Sequence, residues 1–92
     1  MISITSKQKS ALKIQASRLN PIILIGNKGL TEPVHLEIER ALHDHELVKI
    51  RFHIKDRDYQ KQAAVTICQQ HQAILIDAVG HVIVIYRPQQ ED

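Results

Sequence analysis

The chain has 92 residues and a mass of 10.5 kDa, enough for one core and too little for a two-lobed enzyme. With 43% apolar and 24% charged residues it is too hydrophobic and too weakly charged to stay disordered. No apolar run approaches the roughly 18 to 20 residues that cross a bilayer, and Cys68, the single cysteine, excludes an internal disulfide and a cysteine-based zinc site. The opening Met-Ile-Ser-Ile-Thr-Ser has no charged stretch followed by an apolar one, so a cytoplasmic location is expected. The formal net charge of +2 is unevenly spread: +5 over residues 1–29, −4 over 30–46, +3 over 47–61 and −2 over the remainder. Two basic blocks on a nearly neutral chain allow one positive face toward a polyanion.

The first predicted element is a helix. Thr5 with Gln8 three residues later forms a capping box, and Ala11, Leu12, Ala16 and Leu19 recur at helical spacing until Asn20-Pro21 ends the pattern. Residues 22–25, a β-branched apolar run, read as a short strand buried on both faces. After Gly26-Asn27-Lys28-Gly29, Thr31 can cap a second helix, Glu32 suits its positive end and Pro33 is tolerated in its first turn. Val34, Ile38, Ala41 and Leu42 make the inward stripe of that helix. Glu32, Glu37, Glu39 and Asp44 lie opposite, with Leu36 exposed among them.

Residues 47–54 alternate, with Val48, Ile50, Phe52 and Ile54 inward and Lys49, Arg51 and His53 outward. Adjacent cations on one face are costly to bury, which favours exposure of Lys49 and Arg51. Asp56 or Asp58 caps a third helix running to about His71, with Ala63, Ala64, Ile67 and Cys68 inward. Residues 74–78 and 82–86 are strands joined through Val79-Gly80-His81 as a hairpin, the second apolar throughout and central in the sheet. The order α-β-α-β-α-β-β predicts a single α/β domain over residues 1–92. Its four-stranded sheet is mixed, since helical crossovers favour parallel pairing and the hairpin is antiparallel.

Gly26-Asn27-Lys28-Gly29 joins the end of a strand to the start of a helix. Glycine at both ends permits positive φ and close approach of another backbone. The unpaired N–H groups of the helix start favour a phosphate, with Lys28 adding a cation and Asn27 a hydrogen-bonding tip. The loop is too short for a Walker-type triphosphate cradle, and its Gly-x-x-Gly spacing follows the logic by which KH modules clamp nucleic-acid backbone. On the first helix Lys9 and Lys13 are four residues apart, a repulsive pair that an anionic partner would relieve.

The span from Thr5 to Pro88 resembles the CRM domain (chloroplast RNA splicing and ribosome maturation) in its stand-alone bacterial, YhbY-type form. The landmarks are Lys7-Gln8-Lys9, the run from Pro21 through Ile25 into Gly26-Asn27-Lys28-Gly29-Leu30-Thr31, then Glu37-Ile38-Glu39-Arg40-Ala41-Leu42, Glu46-Leu47-Val48-Lys49-Ile50, and Gly80 with Tyr86-Arg87-Pro88. The resemblance implies a fold like the C-terminal domain of a bacterial translation initiation factor. It also implies RNA binding through the Gly-x-x-Gly loop and adjacent basic surface, and association with precursors of the large ribosomal subunit. Some relatives carry a basic tail where this chain ends Gln89-Gln90-Glu91-Asp92.

The candidate RNA-binding residues are Gly26, Asn27, Lys28, Gly29 and Thr31 of the loop, Lys7, Lys9, Lys13 and Arg18 of the first helix and its exit, and Lys49, Arg51 and Arg57. Lys55 and Arg87 are more peripheral phosphate contacts. His43 and His45 complement a helix C-terminus and lack an assured third ligand, so no metal, cofactor or catalytic set is expected, and no enzyme. Cys68 reads as a small hydrophobe, and Phe52, Tyr59 and Tyr86 are too scattered for a base-stacking platform. The expected protein is a monomeric RNA-binding module, with no membrane or small-molecule partner, whose target is precursor ribosomal RNA or a large-subunit precursor particle. The rival reading is a protein-interaction module that docks on a ribosomal protein through Leu36 and the acidic face of the second helix. A duplex-DNA reader is disfavoured because that helix is so acidic.

Overall fold

The computed structural model describes residues 3–89; the acidic end at Gln90, Glu91 and Asp92 read from the sequence lies outside them. The elements are α1 (Ser6–Ala16), β1 (Ile23–Ile25), α2 (Glu32–His45), β2 (Leu47–Phe52), α3 (Arg57–His71), β3 (Ile74–Val79) and β4 (Val82–Tyr86). The sheet runs β1-β2-β4-β3, with β1 parallel to β2 and the other two pairings antiparallel. This is the mixed four-stranded α/β domain expected from the element order, with β4 central. Among the described residues no helix is long and apolar enough to cross a membrane.

Alternation along the strands sorts side chains onto two faces. Ile23, Ile25, Val48, Ile50, Phe52, Ile83 and Ile85 pack with Ile38 and Leu42 of α2 and Ala63, Ala64 and Ile67 of α3 into the main core. Leu47, Val84 and Ile76 face the other way and meet Leu12 and Ala16 of α1, with Tyr86 and Ile74 at the margin. Burying large aliphatic side chains contributes roughly 1.5–3 kcal/mol each, so the α2/α3 face dominates. α1 covers only part of its own face.

Local signals set the ends. Thr5 accepts from the Gln8 amide and Gln8 returns a bond to the Thr5 amide, a complete capping box. Asp56 caps α3 by accepting from the Tyr59 amide at 3.1 Å. Thr31 occupies the N-cap of α2 with extended backbone but makes no side-chain cap bond. α2 and α3 end at Glu46 and Gln72, both with positive φ (63° and 54°) and neither a glycine.

Three expectations are corrected. β1 is buried on one face only: Leu24 is 58% exposed and Ile22, just before the strand, 51%, because β1 is an edge strand and α1 does not reach it. Within the first helix Ala11 is exposed, as is Leu19 beyond it; the helix is docked by Leu12 and Ala16. Lys49 is not an exposed cation. It is half-buried, and its Nζ donates to the Ala16 carbonyl at 3.0 Å and the Leu19 carbonyl at 3.1 Å. A cation at a helix C-terminus satisfies orphan carbonyls and complements the dipole, which repays its partial burial. Lys49→Ala is therefore expected to cost about 1–2 kcal/mol, read as a lower urea midpoint with unchanged m-value, whereas Arg51→Ala on the same face leaves the midpoint unmoved.

Candidate nucleic-acid interface

The 26–29 loop is a tight turn closed by Gly29 N–H donating to the Gly26 carbonyl at 3.1 Å, followed by Thr31 N–H donating to the Gly29 carbonyl at 3.0 Å. Asn27 and Lys28 are exposed at its tip. The amides of Gly29 and Thr31 are thus spent inside the turn. Among the described residues the amides of Asn27, Lys28 and Leu30 make no such bond, and the Thr31 hydroxyl is not engaged in capping. These are donors positioned beside the positive end of α2.

The two glycines serve different ends. Gly29 has φ +73°, and a Cβ there would lie 2.5 Å from the Tyr59 hydroxyl. Tyr59 packs edge-on to Phe52 with ring centroids 6.2 Å apart, so it cannot easily yield, and its buried hydroxyl has no hydrogen-bond partner. Gly26 does not have positive φ, correcting the expectation of two such glycines, and a Cβ there would meet nothing within 4 Å. The fold requires Gly29; nothing inside the molecule requires Gly26.

The loop is tied to the segment after β2. His53 N–H donates to the Ile25 carbonyl at 2.8 Å, and Tyr59 of α3 underlies Gly29. Arg57, exposed at the start of α3 two residues before Tyr59, is thereby carried to the loop's side of the molecule, and Arg51 is exposed on β2. Lys7, Lys9 and Lys13 are exposed on α1, and Arg18 just beyond it. That helix packs on the sheet face opposite α2 and α3, so the basic residues form two groups on either side of the sheet.

One cluster has no periodic signature in the sequence. Arg87 donates from Nη1 and Nη2 to the two carboxylate oxygens of Glu39 at 2.9 and 2.7 Å, and from Nη1 to the His71 carbonyl at 3.1 Å. Arg87 is therefore committed within the protein, where a freely available phosphate contact was expected. His71, buried, has Nδ1 3.1 Å from Glu39 Oε1 and Nε2 2.9 Å from His35 Nδ1. A carboxylate only accepts, so His71 Nδ1 donates to it, and His71 Nε2 accepts from His35 Nδ1–H. The bidentate Arg87 contact holds Glu39 well below the ordinary carboxylate range, at about 2, and burial, with His71 adding repulsion, pushes His35 down. A hollow of about 570 Å³ is lined in part by Glu39, His71 and Arg87, whose mutual bonds make it a structural joint.

A family model described as the CRS1 / YhbY (CRM) domain matches residues 4–87. The chain is 40% identical to a Haemophilus influenzae protein named RNA-binding protein, over 99% of this chain and 92% of that one. It is 34% identical to a Pseudomonas aeruginosa protein named a probable RNA-binding protein, over 94% and 83%. A Staphylococcus aureus protein solved in solution superimposes with a TM-score of 0.84 at 32% identity, over 98% of this chain and 94% of that one.

Two outcomes test the site's construction. Gly29→Ala is expected to destabilise by about 1–3 kcal/mol through positive φ and the Tyr59 clash, while Gly26→Ala stays within about 0.5 kcal/mol, both by chemical denaturation. Stability should also fall toward acid in two stages. Folding lowers the pKa of His35 and of Glu39, so the stability each contributes is complete above its unfolded value, near 6.5 and 4.5 respectively. It is lost as pH falls through the folded value, which for Glu39 is about 2. Melting temperatures between pH 8 and 3 should show both stages in the parent, and His35→Gln should lack the upper one.

Proposed function

Because the chain belongs to the CRS1 / YhbY (CRM) domain family, we infer that it is a non-enzymatic RNA-binding protein that grips sugar-phosphate backbone at the 26–29 loop. The observation that carries this reading is the contrast between the glycines. Gly29 answers to Tyr59, but Gly26 has open space where a side chain would be, the condition for another backbone to approach closely. Two relatives are named for RNA binding, in keeping with the same reading.

In the proposed mechanism the unpaired amides of Asn27, Lys28 and Leu30, with the Thr31 hydroxyl, hold phosphate oxygens, and Lys28 supplies the mobile charge. Arg57 extends the grip on the loop side, and Lys7, Lys9, Lys13 and Arg18 contribute a second patch through α1, on the sheet face that also bears Arg51. Lys49 is excluded because its ammonium is already committed to α1. The proposed target is precursor RNA of the large ribosomal subunit, free or in an assembling particle, bound by a cytoplasmic monomer during ribosome maturation. Recognition of this kind follows backbone shape more than base sequence.

Fluorescence anisotropy of a labelled large-subunit RNA fragment, titrated across potassium chloride concentrations, tests this. Lys28→Ala should weaken binding several-fold and make the salt dependence shallower by roughly one phosphate contact, with thermal stability unchanged. Equal binding by parent and variant, or affinity indifferent to salt, would refute the assignment. Co-sedimentation with large-subunit precursors that disappears on ribonuclease treatment is the expected behaviour in lysate.

A further inference from the structure

α1 stops at Ala16 with Lys49 on the Ala16 carbonyl, and beyond it Leu24, Arg51 and Val79 are exposed on the sheet. The registers align a row there across all four strands: Leu24 beside Arg51, Arg51 beside Val82, and Val82 beside Val79. At the β1 end of this row lies an open cleft of about 420 Å³, within the size range of small-ligand sites. Ile22, Leu24, Arg51, His53, Lys55 and His81 line it.

Its chemistry is specific. Every ionisable side chain lining it is Arg, Lys or His, with no carboxylate. Among the described residues Arg51, His53 and Lys55 make no side-chain hydrogen bond or ion pair. Ile22 and Leu24 supply an exposed aliphatic surface. His81 supplies a donor of fixed identity: Gln60 Nε2 donates to the Ile54 carbonyl at 2.9 Å, which orients the amide, so its 3.0 Å contact with His81 Nδ1 is also a donation. The neutral ring then carries its proton on Nε2. Backbone hydrogen bonds tie the lining of the cleft to the strand end that enters the 26–29 loop. His53 N–H bonds the carbonyl of Ile25, the residue before Gly26, and Phe52 N–H bonds the His81 carbonyl, both at 2.8 Å.

An apolar surface beside unpaired cations and a fixed donor, joined rigidly to a phosphate-holding turn, suits a flat group with apolar faces and a polar edge attached to an anion. We propose that this cleft seats one unpaired nucleobase of the strand held at the 26–29 loop. The base lies against Ile22 and Leu24, its edge meets Arg51 and His81 Nε2–H, and Lys55 takes a neighbouring phosphate. The proposal rests on the RNA-binding reading and deepens it: the preferred substrate is a single-stranded or bulged segment, since a continuous helix does not release a base.

The test compares a labelled single-stranded RNA decamer with the same backbone made abasic, each titrated against the parent protein, Leu24→Ser, Arg51→Gln and Lys28→Ala, with folding verified by thermal melting. The parent should prefer the intact strand by roughly tenfold. Leu24→Ser should lose most of that preference while binding the abasic strand as the parent does, Arg51→Gln should lose it with a modest weakening of both strands, and Lys28→Ala should weaken both strands equally. A parent without preference, or a Leu24→Ser variant that keeps it, would overturn the cleft and leave the loop assignment standing. Failure of the parent to bind either strand would remove the RNA reading and the cleft with it. A dimer at higher concentration that Leu24→Ser abolishes, with base preference intact, would assign the row to a second copy of the chain.

Discussion

The pairing of β1 with β2 is the constraint on which the rest depends. β1 has three residues, and the bonds flanking it, Ile22 N–H to the Lys49 carbonyl at 3.1 Å and His53 N–H to the Ile25 carbonyl at 2.8 Å, fix both of its ends. Ile23 and Ile25 then anchor it in the core beside Ile50 and Phe52. A strand this short has little register energy of its own, so the anchoring isoleucines and terminal bonds decide where the glycine turn stands. From that turn α2 departs with its positive end beside the exposed Lys28, while α3 supports it from beneath through Tyr59.

How far the sequence discloses this arrangement depends on the range of the interactions. Thr5 with Gln8, Asp56 before Tyr59 and the alternation of Val48, Ile50 and Phe52 are local signals, and each yields the element it announces. β1 was harder, because an apolar run of four residues looks the same whether one face or both are covered, and the reach of α1 is not encoded there. Lys49 misleads for a related reason: a lysine on an alternating strand reads as solvated until a helix end is found within reach of its ammonium. Glu46 and Gln72 end helices in a conformation that usually announces itself with glycine. The Glu39–His71–Arg87 joint unites residues 32 and 48 positions apart, beyond any periodic pattern. Of the site, the Gly-x-x-Gly turn and its lysine were readable, whereas the unequal duties of the two glycines required knowing where Tyr59 lies.

The charge distribution acquires a spatial meaning in the fold. The acidic segment becomes α2, with Glu32, Glu37 and Asp44 exposed and Leu36 among them, so the helix whose first turn adjoins the loop presents carboxylates along its outer surface. A polyanion is attracted at one end of α2 and repelled along its flank, which restricts the angle from which a strand can approach. Glu39 does not add to that flank at full strength, because Arg87 neutralises it.

The passage from α2 into β2 takes a single residue, Glu46, whose carbonyl accepts from Arg87 N–H at 2.9 Å and whose side chain accepts from Gln89 N–H at 3.0 Å. Such a joint has no slack, so a pull on the first turn of α2 is conveyed along the helix axis as through a stiff lever instead of being absorbed by a flexible connector. The glycine turn at the far end of α2 is accordingly referred to the sheet by a fixed length, not by a tether.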